Sequence, residues 1–281
     1  MIYLILSILS STAIFVVFKL LSKYNVNTLQ VIVINYIVAF TIGISLNDER
    51  IRPEIIYVDW FMAAIGLGIL FITIFNVMAL TAQKNGLSVA SVASKMSVII
   101  PVLFGIIVYG ESAGLQKIIG IILALTAVFL ASIKPKSNVV LTKSIYLPIL
   151  LFLGSGIIDT SINHFAPNGN KALFLAVIFG ISGIIGLLIL SYKSLILKHY
   201  FKTKSIPFGI VLGIINYASI HYILKALRVD GFESSSVFTI NNVAIVAVST
   251  LVGLFLFKER ISGKNWFGIL LALISIALVT L

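Results

Sequence analysis

The chain has 281 residues, of which 60% are hydrophobic and only 10% charged, against about a quarter charged in an ordinary soluble domain; a soluble fold is excluded. The formal net charge of +11 would suit a nucleic-acid binder, but Lys and Arg stand singly or in small groups between apolar runs, as in loops at a membrane face, so no nucleic-acid partner is expected. Cysteine is absent, which removes disulfides, thiolate metal sites and cysteine nucleophiles.

The first apolar run, 3–22, has no basic leader and no small-x-small cleavage site, and it reads as a retained helix rather than a signal peptide. Further runs follow at 28–46, 58–82, 87–108, 115–132, 146–164, 172–192, 206–226, 233–256 and 265–281. Runs of roughly 20 residues cross a hydrocarbon core of about 30 Å as helices. They lack the alternating ~10-residue pattern of barrel strands. The longest polar interruptions are NDERIRPE (47–54), KPKSNVVLTK (134–143) and YKSLILKHYFKTKS (192–205), too short to hold an inserted soluble domain. Pro101 and Pro148 fall inside apolar runs, where membrane helices tolerate them and kink at them. The glycines of GISGIIG (180–186) read as a close-packing face.

One phrase occurs twice. YGESAGLQKIIGIILAL (109–125) returns as FKERISGKNWFGILLAL (257–273), each with a Glu, a Gly nine positions later, and the run G-I-x-L-A-L from Gly120 or Gly268. Upstream of this pair, separated by 148 residues, the two halves keep an offset of 145: Lys19 meets His164, Asn76 meets His221, Gly86 meets Gly231 and Ser94 meets Thr239. Any two apolar helices look alike in an alphabet of Leu, Ile and Ala, but here a charged residue and a glycine keep register as well. The repeating unit is five helices, 1–137 and 138–281. An odd number of crossings inverts the second copy, so the expected fold is an all-α membrane protein of ten transmembrane helices as two inverted five-helix repeats. Secondary transporters build two gates around a midplane site in this way.

Ten helices in two halves, each half closing on Glu-x8-Gly-x3-Ala, resemble the EamA-type branch of the drug/metabolite transporter superfamily over the whole chain. The resemblance implies that helices 1, 3, 4, 6, 8 and 9 line a central cavity and that helices 5 and 10 lie at its periphery. It also implies cargo ranging from amino acids and other small metabolites to drugs. Orientation has two answers. Odd-numbered connections carry thirteen Lys and Arg and the other side six, Lys95 inside a span completing the 20; the positive-inside rule then puts both termini outside, whereas the resemblance implies both inside. The charge count is followed here.

Ionisable groups inside spans cost at least ~2.5–3.5 kcal/mol at the bilayer centre and usually face a cavity or a partner. Lys95, in SVASKMSVIIP, and Asp159, in GSGIIDTSINH, are the two that stand out. On helices 4 and 6 as the resemblance places them, they either pair with each other or hold opposite ends of a zwitterion; a structural ion pair that fixes packing is the plainer alternative. Asp159 corresponds to Ile14 of the first span, where the small multidrug-resistance relatives look similar in carrying a proton-binding carboxylate. Asn163 follows it by one turn. In span 8, Tyr217 and His221 share a face beside Asn216, and Asn76 is the counterpart of His221 in span 3. His221 reads either as a proton relay or as a hydrogen-bonded packing residue. Spans 4 and 9 offer Ser91, Ser94, Thr239 and Asn242, which either bond substrate or let helices approach closely. Of Asn241 and Asn242, at least one should avoid lipid. Glu111 and Glu259 lie at helix ends and should bond neighbouring helix termini or loop backbone, and Lys225 should snorkel to the interface.

No metal-ligand grouping, paired-Asp motif, nucleophile elbow or phosphate loop occurs; GLG at 66 and GSG at 154 lack the third glycine and the strand of a dinucleotide fold. An enzyme is not expected, and neither is a cofactor. The expectation is a secondary transporter that exports small organic metabolites such as amino acids by alternating access, with Asp159 and His221 the coupling candidates if protons drive it. A lipid or lipid-linked-substrate flippase, or a non-transporting sensor on the same fold, is the alternative. Its partners are then a small-molecule substrate, membrane lipid and protons. Lysine far in excess of arginine, with much Ile and Asn, points to a bacterial plasma membrane.

Overall fold

The computed structural model describes residues 1–46, 53–108, 110, 114–132, 145–167, 171–198, 200–226 and 234–280. Among them the regular structure is helical: α1 (Ile2–Lys23), α2 (Thr28–Ser45), a 3-10 turn (Pro53–Tyr57), α3 (Phe61–Lys84), α4 (Leu87–Met96), α5 (Ile99–Val108), α6 (Leu115–Ser132), α7 (Tyr146–Phe165), α8 (Lys171–Leu195), α9 (Ser205–Ala226), α10 (Ser234–Phe257) and α11 (Gly263–Thr280). Eight stretches are long and apolar enough to cross a membrane, α4 and α5 together forming one of them, and α6 and α11 contain shorter apolar helices, Ile118–Ala131 and Gly263–Leu278. The protein is therefore an integral membrane protein.

The main local departure from the sequence expectation is in span 4, which is two helices. Pro101 has no N–H to give and its ring collides with the carbonyl four residues back, which is that of Ser97. The ladder stops there and restarts with Ile100 N–H donating to Ser97 O at 2.9 Å. Pro148 does not interrupt its helix, because it sits in the first turn of α7, where its missing N–H would have no partner anyway.

The chain forms two compact units, and each draws on both halves of the sequence. The first holds Met1–Lys19, Val77–Ile157 and Ala218–Leu281; the second holds Leu20–Asn76 and Ile158–Tyr217. In the first, α6 lies along α11 around a core of Met96, Ile99, Ala124, Ala127, Val246, Ala272 and Ile276. The repeated phrase makes this pair. A Cβ on Gly268 would stand 2.7 Å from the Ala131 nitrogen and 3.1 Å from the Ala127 oxygen, so only glycine lets the two backbones come this close. Closeness then permits cross-helix bonds: Ser275 Oγ donates to Gly120 O at 2.7 Å, and Asn265 Nδ2 donates to Leu130 O and Ala131 O at 3.0 and 2.8 Å. Between membrane helices such packing and bonding replace the hydrophobic drive, since lipid is as apolar as leucine.

A second feature of the same unit is built on Glu259. Its carboxylate accepts from the Leu87 N–H, the first of α4, at 2.9 and 3.1 Å to its two oxygens, and Oε1 lies 3.2 Å from Lys19 Nζ at the end of α1. Lys19 also reaches Gln83 O of α3 at 3.5 Å, while Glu259 N donates to Gly253 O of α10 at 3.0 Å. Gly86, just before α4, has φ +110, and a Cβ there would stand 2.8 Å from Glu259 Oε2; both the backbone and the space require glycine. The expected role of Glu259 at a neighbouring helix terminus is observed; Glu111 lies outside the described residues.

In the second unit α2 packs on α8, and the glycines expected to do so form the seam. Gly180, Gly183 and Gly186 face Phe40, Ile37 and Val33, with Cβ positions that would fall 2.9, 3.5 and 2.5 Å from them. Tyr36, fully buried, stacks on Phe179, tilts against Phe75 and donates its hydroxyl to Phe71 O at 2.8 Å.

Gly268→Ala should destabilise the protein by about 1–3 kcal/mol, read as a lower melting midpoint in detergent. Gly66→Ala, at a helical site with nothing within 4 Å, should leave it equal or slightly higher. Glu259→Ala should cost about 2 kcal/mol, the range of a charge-assisted bond. Glu259→Gln, which keeps an acceptor for Leu87, should cost less, and Lys19→Met should add little in either background. An additive Lys19/Glu259 cycle would refute the ion pair.

Candidate functional site

The polar groups inside spans fall into two sets, one per unit. In the first, Lys95 occupies the last turn of α4, directly before the break at Ser97, and is half-buried. Ser91 is buried and donates to Ser88 O at 3.0 Å, and Ser97 donates to Ser94 O at 2.6 Å. These hydroxyls are spent on their own helix, so the packing reading suits Ser91. Asn241 and Asn242 of α10 are both buried, at 5% and 8% exposure, so neither faces lipid. Among the described residues the Asn241 carbonyl oxygen and the hydroxyls of Thr12, Ser88 and Ser249 are buried without a hydrogen-bond partner. A buried atom of this kind costs about 1–3 kcal/mol unless something bonds it, so α1, α4 and α10 each carry polar groups where apolar ones would be cheaper.

His221 of α9 belongs to the same unit and meets Tyr222 edge-on at 5.7 Å. Tyr222 stacks on Tyr3 at 6.5 Å, and Lys225 Nζ sits 5.4 Å above the Tyr3 ring. The Lys225 ammonium is therefore held over an aromatic face. Thr239 lies on α10, but its side chain is outside the described residues.

The second unit holds Asp159, Asn163, Tyr217 and Asn76. Asp159 and Asn163 are four apart on α7, hence on one face, and both are exposed. Tyr217 is half-buried, its ring 3.5 Å from where a Cβ on Gly43 would lie. Asn76 donates its amide to Ile72 O at 2.7 Å, so this N–H serves its own helix. Lys95 and Asp159 thus belong to different units, and so do Tyr217 and His221, between which the boundary in α9 runs.

Two buried amides on α2 escaped the reading of the sequence. Asn35 is fully buried and, in the amide orientation its neighbours favour, donates to Leu212 O of α9 at 3.3 Å. Gln30 accepts from Lys202 N and Ser205 Oγ at 3.0 and 2.8 Å and donates to Tyr200 O at 3.2 Å. The signal was available: an amide in an apolar run is costly in lipid for the same reason as Asn241.

Over 281 aligned residues the chain is 29% identical to a Haemophilus influenzae protein (strain ATCC 51907 / DSM 11121 / KW20 / Rd) described only as uncharacterised, covering 97% of this chain and 95% of that one. A protein of known crystal structure superposes with a TM-score of 0.61 at 14% identity, covering 99% of this chain and 94% of the other; at that identity it speaks to fold alone. Residues 1–133 match the EamA-like transporter family. The first half of the chain is thus similar to that family of transporters.

Proposed function

We propose that the protein is a secondary transporter exporting small organic metabolites, amino acids or close relatives, from a bacterial cell by alternating access. The observation that carries this reading is the Asp159/Asn163 face of α7. A carboxylate and an amide exposed on one side of a membrane span are too costly to leave against lipid. They suit a water-filled path, and the sequence adds Lys95, Tyr217, His221, Thr239 and Asn242 as further candidates for cargo contact. A zwitterion fits an acid and an ammonium of this kind better than a purely apolar cargo would.

The inverted repeat, 1–137 with 138–281, is part of the same proposal, and helix pairing supports it. The register that aligns the halves makes α2 the mate of α8, α4 of α10 and α6 of α11, and each of these pairs is in contact. Elements nearest a two-fold axis touch their own mates. Family members are transporters rather than enzymes, and no reaction is assigned here.

Transport of a mixed amino-acid and metabolite pool into proteoliposomes, with and without a pH gradient, tests the proposal. Wild type should exceed empty vesicles, and Asp159→Asn should lower the rate at least tenfold. If the variant keeps transport but loses its response to the gradient, Asp159 is the coupling group. If transport is lost and Lys95→Met loses it as well, the two bind substrate. A wild type that never exceeds empty vesicles overturns the reading.

A further inference from the structure

The end of α8 and its connection to α9 form the most basic stretch of the chain, with Lys193, Lys198, Lys202 and Lys204 inside twelve residues. Loops of this composition are usually mobile. Here the loop is fixed by one buried side chain: Gln30, at 3% exposure, bonds Lys202 N, Ser205 Oγ and Tyr200 O together. Between this loop and the start of α2 lies a cavity of about 130 Å³ lined by Asn27, Leu29, Gln30, Leu190, Lys193 and Leu197. One water needs about 10–15 Å³ of such space, so a phosphodiester has room.

The lining is of two kinds. On the polar side are the Lys193 ammonium and the NH2 of Asn27, whose oxygen is already used in capping α2 at Gln30 N, 3.2 Å away. Gln30 itself shapes the cavity, its amide being spent on the loop. On the other side are three leucines. Around the cavity the surface is that of a membrane interface: Tyr24, Tyr192, Tyr200 and Phe201 are exposed, as are Leu195 and Ile196, and aromatic rings gather at headgroup depth. Among the described residues no carboxylate pairs with Lys193, Lys198, Lys202 or Lys204.

We propose that this cavity is a binding site for the headgroup of an anionic phospholipid. The phosphodiester sits between Lys193 and Asn27, the acyl chains leave past Leu190 and Leu197, and the remaining lysines add attraction from the loop. A soluble phosphate would have no use for the leucine wall or the aromatic surround, and these decide for a lipid. The inference is independent of what the protein transports.

The test is titration of phosphatidylglycerol into the full-length protein in phosphatidylcholine nanodiscs, with bound lipid counted by native mass spectrometry. Wild type should retain phosphatidylglycerol selectively. Lys193→Gln should bind about fivefold more weakly, the share of one lysine near an anionic surface. Asn27→Asp, which still caps α2 but puts a carboxylate in the cavity, should bind more weakly still. Lys264→Gln removes an exposed lysine of the first unit and should match wild type. Melting midpoints in phosphatidylcholine alone confirm that each variant is folded. Three results would overturn the site: Lys193→Gln binding like wild type, Lys264→Gln weakening binding as much, or inorganic phosphate displacing the lipid at comparable concentration.

Discussion

A helix that starts among other helices brings N–H groups with no water to bond, and at α4 the carboxylate of Glu259 meets the first of them. Much of the first unit follows from that single acceptor. Taking Leu87 N–H fixes where α4 begins; holding Lys19 fixes the end of α1; lying against Gly86 and Gly253 leaves no room for any larger residue at either position. The charge is favourable on both counts, because a helix N-terminus and an ammonium each attract an anion. The same acid opens the phrase that continues into Gly268 and Ala272. One short segment thus secures α4 from its loop and α6 from its helix.

The two units reach close packing by different chemistry. In the first, the glycine and alanines of α6 and α11 bring backbones near enough for Ser275 and Asn265 to bond carbonyls across the gap. In the second, the glycines of α8 receive the large side chains of α2, and the polar bonding is done by residues fully enclosed, Tyr36 and Gln30. Neither seam contains Lys95 or Asp159. Lys95 lies at a helix break and Asp159 on an exposed helix face, positions where side chains are less constrained by packing.

How much of this was legible in the sequence depends on the kind of signal. The spans were, because roughly twenty apolar residues in a row have few other uses. The glycine seam of α8 was, because small residues at that spacing have one common role in membranes. Glu259 was, since an acid between two apolar runs lies where helix ends are. The break in span 4 was only half legible: Pro101 signalled a distortion, while its placement at Ser97 depends on which carbonyl the ring displaces. Gln30 and Asn35 were missed because attention went to charged groups, although a buried amide is constrained by the same need for partners. Which polar residues meet which was not legible at all. The units interleave segments far apart in sequence, so that Lys95 belongs to one and Asp159 to the other.

The pairing of α6 with α11 has a bearing on synthesis. α6 leaves the ribosome long before its partner exists, and its small-residue stripe, Ala124, Ala127 and Ala131, meets lipid tails until α11 arrives to displace them. α2 waits in the same way for α8. α6 can already pack on α4, but the α6–α11 and α2–α8 seams close late, when the second half of the polypeptide supplies the missing faces. A chain released after α6 would have to find those faces on another molecule.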